Sequence, residues 1–306
     1  MDARSVRSSL ARRLGVPDNG APSARSEGLA ELLLDATGNY DRPLTVKRLF
    51  KWHRWLFPIE PTLLGTPLKV GELRGSDPMQ VVSGRLDQPR VHFEAPPRNG
   101  LEEALQRFIE WFNHSRDDAT LDPLLRAGIA HFWFVTLHPF DDGNGRLTRA
   151  LTDLALAQAD NQGIRLFALS ASILEDRSGY YHVLESSQKG GLDITPWLTW
   201  FLHTLLRSQN AALERINRVV AKTRFWQLHR TDELMTEQVK VLNRLLDGGE
   251  RGFESGISAA QYQAVAKVSK ATATRHLTDL LDKGCITRLA GGGRSTRYVI
   301  KAIKLA

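Results

Sequence analysis

Cysteine is almost missing from this chain of 306 residues. Cys285 stands alone, so no intrachain disulfide can form and nothing points to an oxidising compartment. Long apolar runs are missing too. None approaches the roughly 18 residues needed to span a membrane. The basic N-terminal stretch MDARSVRSSLARRLG has no apolar core behind it that would make a secretory signal. The default expectation is a cytoplasmic protein with no membrane contact. Acidic residues are outnumbered: 41 lysines and arginines against 34 aspartates and glutamates leave a formal charge of +7. An excess of that size fits a merely solvated surface. It also fits an anionic partner, nucleotide or nucleic acid. Hydrophobic residues make up 42%, enough for a sizeable core in one large domain or two to three smaller ones.

The pattern along the chain is mainly helical. Residues 1–60 read as an N-terminal helical segment. Val16–Pro22 is a turn-rich break, and apolar residues at helical spacing run from Leu44 to Phe57. Met79–Ser83 and Arg90–Glu94 are β-prone runs around the turn-forming GRLDQP, which predicts a hairpin. Helices are expected at Leu101–Asn113, Pro123–Leu137, Leu147–Gln158, Tyr180–Gln188 and Pro196–Ser208. The second of these is apolar on nearly every face and should be buried. Residues 213–234 read as a linker helix and 235–306 as a separate small domain. That domain has three helices, then Ile286–Leu289, a tight Gly291–Gly293 turn and Thr296–Ile300, which is winged-helix order.

The chemistry concentrates between His138 and Arg149, HPFDDGNGRLTR. The loop joins a buried helix to a new one. Gly143 and Gly145 permit positive φ and close approach of a ligand to the backbone. The new helix start offers unpaired N–H groups and its positive dipole end, which makes a cradle for phosphate. Arg146 and Arg149, three apart, share one face and add two guanidinium forks. Asp142 is a hard oxygen ligand of the kind magnesium takes beside phosphates. His138 at the mouth of the loop is the natural general base for a hydroxyl nucleophile. No GxxxxGK[ST] is present, and no strand precedes the glycines, which excludes a P-loop and a Rossmann fingerprint.

This stretch resembles the signature of the Fic family, HPFx[D/E]GNGRxxR, at all of its fixed positions: His138, Pro139, Phe140, Asp142, Gly143, Asn144, Gly145, Arg146 and Arg149. The resemblance implies a Fic helical core over residues 61–212 with a β-hairpin flap, and protein adenylylation as the activity. ATP and Mg2+ would be the cofactors, and a Ser, Thr or Tyr hydroxyl of a target protein, or of the chain itself, the acceptor. In those terms His138 deprotonates the hydroxyl, Asp142 holds magnesium, and Asn144 with the Gly143 and Gly145 backbone binds phosphate oxygens. Arg146 and Arg149 hold the β- and γ-phosphates, and Phe140 anchors the loop. Tyr180 and Tyr181 lie where the family often places a tyrosine near the adenosine. The hairpin beginning Met79, Gln80, Val81, Val82, Ser83 resembles the flap that pairs with an extended target segment.

Ser23-Ala24-Arg25-Ser26-Glu27-Gly28 fits the family's inhibitory pattern [S/T]xxxE[G/N], in which the glutamate pairs with the second motif arginine, here Arg149. Either Glu27 is that inhibitor or the chain carries none. From Ser269 to Ala306 eight basic residues face two acidic ones. Most of the chain's charge therefore sits on the recognition helix and wing of the expected winged helix, with Ala271–Arg275 toward the major groove and Arg294 and Arg297 on the wing. DNA is the partner this suggests, with a protein-docking module as the alternative. A homodimer is compatible with the sequence.

Overall fold

The computed structural model describes residues 3–13, 20–21, 23–58, 62–63, 66–85, 88–163, 167, 169–248, 253, 255–289 and 296–301. The chain divides into two compact units, Met1–Gln209 and Asn210–Ala306. The boundary falls within one long helix.

The first unit is helical around a small hairpin. Its helices are α1 (Ala3–Arg13), α2 (Ala24–Gly38), α3 (Val46–Leu56), α4 (Leu101–His114), α5 (Pro123–Leu137), α6 (Asn144–Asp160), α7 (Leu169–Glu175), α8 (Arg177–Lys189) and the start of α9 (Thr195–Leu228). Local chemistry sets their ends. Asp122 caps α5 through its side chain, with Pro123 at the first turn, where a missing N–H costs nothing. Ser23 caps α2 in a capping box with Ser26. The core is one cluster. Leu32, Leu49 and Trp52 of α2 and α3 join Phe108 and Phe112 of α4, Phe134 of α5, Leu147 and Leu151 of α6, and Trp197 and Phe201 of α9. The segment before residue 61 is therefore built into the same core as the motif loop.

Three two-stranded antiparallel sheets occur among the described residues: β1 (Thr62–Leu63) with β2 (Thr66–Pro67), β3 (Gln80–Arg85) with β4 (Gln88–Glu94), and β5 (Ile286–Arg288) with β6 (Tyr298–Ile300). The expected hairpin is present and longer than its β-prone runs. Gln80 pairs with Glu94 and Val81 with Phe93, and the register shifts between Val81 and Val82.

In the second unit, after the end of α9, come α10 (Thr236–Asp247), α11 (Ala259–Ala266), α12 (Lys270–Asp282) and the β5–β6 hairpin. Its core gathers Phe225, Val241, Leu242, Tyr262, Leu277, Leu280 and Ile286. The Gly291–Gly293 turn, Arg294 and most of Val16–Pro22 lie outside the described residues.

One helical expectation changes. Pro196–Ser208 and the expected linker helix up to Leu228 are one continuous helix, α9, because no Gly or Pro interrupts it after its first turn, while residues 229–234 form turns and extended chain. The helix α1 falls within the expected N-terminal helical segment, although its Arg- and Ser-rich sequence carries only a narrow apolar stripe, Ala3, Val6 and Leu10.

Gly28 shows how tightly α2 and α3 meet. A Cβ there would stand 1.7 Å from the Trp55 carbonyl oxygen, backbone that cannot move aside. Gly28→Ala is expected to destabilise the unit by about 3 kcal/mol in denaturant unfolding. Gly38→Ala, in the same helix with open space around it, should leave stability unchanged or raise it.

Candidate active site

His138 closes α5 in the left-handed conformation, φ 47°, ψ 57°. A non-glycine residue there is uncommon and is held by its surroundings. Those surroundings are visible. The His138 N–H donates to Phe134 O (3.2 Å), and the His138 carbonyl accepts from Arg74 Nε (2.9 Å). The ring Nδ1 lies 3.1 Å from Val135 O. A carbonyl can only accept, so Nδ1 carries the hydrogen and Nε2 the lone pair. Burial holds the imidazole below the ordinary histidine range, and the Arg74 guanidinium pushes the same way.

The rest of the loop is braced from three sides. Phe140 is fully buried and stacks on His53 of α3, with ring centres 4.3 Å apart. His53 Nε2–H donates to Asp142 O (3.0 Å) while its Nδ1 accepts from Gly71 N–H (2.9 Å), so its tautomer is fixed as well. Arg74, itself buried, donates to Pro96 O, and its backbone N–H bonds Pro139 O at 3.0 Å. Asp141 accepts from the backbone N–H groups of Lys69 (3.1 Å) and Gly75 (3.3 Å). His53 and Arg74 carry no role in the sequence reading. Their one sequence signal is polarity at positions that helical or loop packing buries.

Asn144 uses its amide within the loop, accepting from Phe140 N–H (3.0 Å) and donating to Phe140 O (2.7 Å). Its side chain thereby shapes the loop, and its second amide N–H is not used by these two bonds. Gly143, φ 84°, precedes α6, and a Cβ there would press on Phe57 at 3.1 Å. Asp142 is the open carboxylate of the pair. Its side chain is 53% exposed and ion-paired to Arg146 at 3.0 Å, and Arg146 lies over the Phe57 ring.

A small cavity of about 110 Å³ brings His138, Gly145 and Arg149 together with Tyr180, Tyr181 and Gln188 of α8 and with Val81, His92 and Phe93 of the hairpin. His92 ties β4 to α8 through Glu185 Oε2 (3.0 Å) and stacks on Tyr181. The two tyrosines part company. Tyr181 borders the cavity half-buried. Tyr180 is buried, its hydroxyl 3.0 Å from His131 Nε2, and His131 Nδ1 is 2.9 Å from Thr152 Oγ1. Burial drives the Tyr180 phenol up and the His131 imidazole down to about 3. The side chains of Val82 and Ser83 lie outside the described residues.

Glu27 sits in α2 with its carboxylate 2.9 Å from Arg13 and 3.8 Å from Arg12. Among the described residues its ion pairs run to α1, not to Arg149. One carboxylate oxygen, Oε1, is buried without a hydrogen-bond partner. Ser23 and Gly28 have structural duties of their own, as cap and as close contact.

Residues 43–156 match the family model described as the Fic/DOC family. Among curated proteins, the protein adenylyltransferase Fic of Drosophila melanogaster is 36% identical over 123 residues, 40% of this chain and 23% of that protein. The protein of the same name from Drosophila willistoni is 35% identical over the same span. The match thus covers about a quarter of the length of these relatives. Among solved structures, a Fic-domain-containing signaling protein from Bacteroides thetaiotaomicron superposes with a TM-score of 0.51 at 22% identity, covering 70% of this chain and 80% of that one. At that identity the likeness concerns the fold alone.

Three histidines, His53, His131 and His138, are held below their ordinary value of 6.5 by burial. Below pH 6.5 the unfolded chain binds more protons than the folded one, so stability must fall with pH. Thermal unfolding should show Tm declining from about pH 6.5 downward. Removing His131 as a proton acceptor, with His131→Asn, should flatten that decline.

Proposed function

We propose that the Fic-family domain at residues 43–156 makes this chain a protein adenylyltransferase, which moves AMP from ATP to a Ser, Thr or Tyr hydroxyl of a target protein or of the chain itself. The observation that carries the reading is the state of His138. It is a half-buried imidazole, biased toward its neutral form, whose Nδ1 is tied to Val135 O, at the edge of a cavity shared with Arg149 and the start of α6. Nε2 takes the proton from the acceptor hydroxyl. The freed oxygen bonds to the α-phosphorus, the bond to the β-phosphate oxygen breaks, and pyrophosphate leaves with that electron pair. Gly143 in its left-handed turn and the N-terminal amides of α6 hold phosphate oxygens. Arg149, desolvated among Tyr180 and Tyr181, meets the phosphate chain with little screening. Tyr181 and His92 flank the base.

A magnesium ion fits the donor set, since Asp142 offers a half-exposed carboxylate beside a helix start. Bound there, the ion would neutralise phosphate charge, and Asp142 is the residue that would hold it. Arg146 would then exchange its bond to Asp142 for one to phosphate. Glu27 is the proposed brake. It would act by leaving Arg13 and Arg12 for Arg149, which requires movement of α1 or of the carboxylate.

Labelled ATP given to the full chain with magnesium should label protein, and His138→Ala should lower the rate at least about a thousandfold. Label from GTP or UTP but not from ATP would overturn the nucleotide assignment. In the same assay Glu27→Gly should raise the rate, and no increase would remove Glu27 from the control of the site.

The second unit supports a further reading as a winged helix with DNA as partner. Lys267 in a left-handed turn joins α11 to α12, and α12 exposes Lys270, Ala271, Thr274, Arg275 and Thr278 on one face. The hydroxyls of Thr274 and Thr278 bond carbonyls four residues back. Arg297, at the base of the expected wing, donates to Gly256 O at 2.8 Å, and Arg294 lies outside the described residues, so α12 is the part of the surface on which the reading is tested. In gel shifts over a salt series, binding should weaken steeply with salt and with Arg275→Ala. Binding indifferent to salt would favour a protein partner.

A further inference from the structure

A second cluster of reactive side chains lies far in sequence from the motif loop. His229 follows the end of α9, Asp232 comes three residues later, and Cys285 directly precedes β5. Their donor atoms all lie within 4.8 Å of one another. Asp232 Oδ2 is 2.7 Å from His229 Nδ1, and Cys285 Sγ is 3.5 Å from the same nitrogen. We propose that His229, Asp232 and Cys285 form a binding site for a thiophilic divalent cation of the zinc class, which joins the end of α9 to the start of β5.

The argument begins with Nδ1. That nitrogen has one hydrogen or one lone pair, yet two heteroatoms approach it. A hydrogen given to Asp232 leaves the buried Cys285 sulfur without a donor or acceptor on the ring. A cation in place of the hydrogen satisfies all three groups together. Zinc lies about 2.0–2.3 Å from N, O and S ligands, so tetrahedral donors stand about 3.3–3.7 Å apart. The sulfur–nitrogen separation already lies in that range. The oxygen–nitrogen separation must open by about 0.6 Å, and Asp232, the most exposed of the three with 28% of its side chain accessible, has the room to turn.

The backbone presents the set without help from the metal. His229 N–H bonds Phe225 O (3.0 Å), Asp232 N–H bonds His229 O (3.3 Å), and Cys285 is held at both ends by Leu280 O (2.9 Å) and Lys301 N–H (3.2 Å). Phe225 packs on the imidazole at 4.5 Å. Lys283, two residues before Cys285, is engaged by Asp279 and by Glu233 O. A cation would bind the Cys285 sulfur as the thiolate. Thiolate, imidazole and one carboxylate select zinc over magnesium or calcium, and three protein ligands leave a fourth position for water.

Cobalt(II) is the probe that separates this site from the motif loop. The full chain, freed of metal by chelator, should take up one equivalent with a thiolate-to-cobalt charge-transfer band in the near ultraviolet, and zinc should displace it. A magnesium-type site at Asp142 has no thiolate and cannot give that band. Cys285→Ser should abolish the band. Asp232→Asn, at a part-exposed position that does not threaten folding, should weaken binding at least about tenfold while leaving His138-dependent labelling unchanged. Zinc should raise the Tm of the wild type and leave that of Cys285→Ser unchanged. No charge-transfer band at one equivalent, or a zinc effect on Tm that survives Cys285→Ser, would overturn the assignment.

Discussion

The hydrogen bond from His138 Nδ1 to Val135 O, 3.1 Å long, is the constraint on which the catalytic reading of this molecule depends. It decides which ring nitrogen carries the lone pair. It exists because α5 ends in a left-handed residue, which folds the ring back over its own last turn. The left-handed turn persists because Arg74 holds the His138 carbonyl and Asn144 closes the loop on Phe140. Burial then favours the neutral ring. A neutral imidazole with a free nitrogen at the mouth of a helix N-terminus can take a proton beside a phosphate chain.

The braces come from distant parts of the chain. His53 arrives from α3, Arg74 from the segment before the hairpin, and the α2–α3 pair is locked by a contact that only glycine allows. The N-terminal segment is thus part of what shapes the loop, and α1 is tied to α2 through Arg12 and Arg13 on Glu27. The contact between Glu27 and α1 adds a layer to the proposed control. The same carboxylate that would restrain Arg149 is already claimed by arginines, so the balance between two ion pairs would set the brake.

The motif loop was legible in the sequence because its chemistry is local: nine fixed residue types within twelve positions, at a helix–loop–helix junction. The hairpin was legible from two β-prone runs around a turn. The functions of His53 and Arg74 were not, because burial and partner choice arise from contacts across 89 and 64 residues. Nor was the division of labour between Tyr180 and Tyr181. Adjacent residues on a helix point about 100° apart, and only the packing decides that Tyr180 is buried against His131 while Tyr181 stays half-exposed at the same cavity. Asn144 illustrates the same limit. Its place in the motif suggests a ligand contact, while its hydrogen bonds to the Phe140 backbone add a loop-closing duty that the sequence does not announce. Arg297 reads as a wing contact in sequence, and its bond to Gly256 O just before β6 is a further duty visible only in space.

The central claim concerns a proton, so the most direct test observes it. With nitrogen-labelled histidine, the His138 ring should show a protonated Nδ1 and an unprotonated Nε2 at pH 7, and keep that state below pH 6.5, where an unperturbed imidazole charges. A ring protonated at Nε2, or doubly protonated at pH 7, would contradict the account.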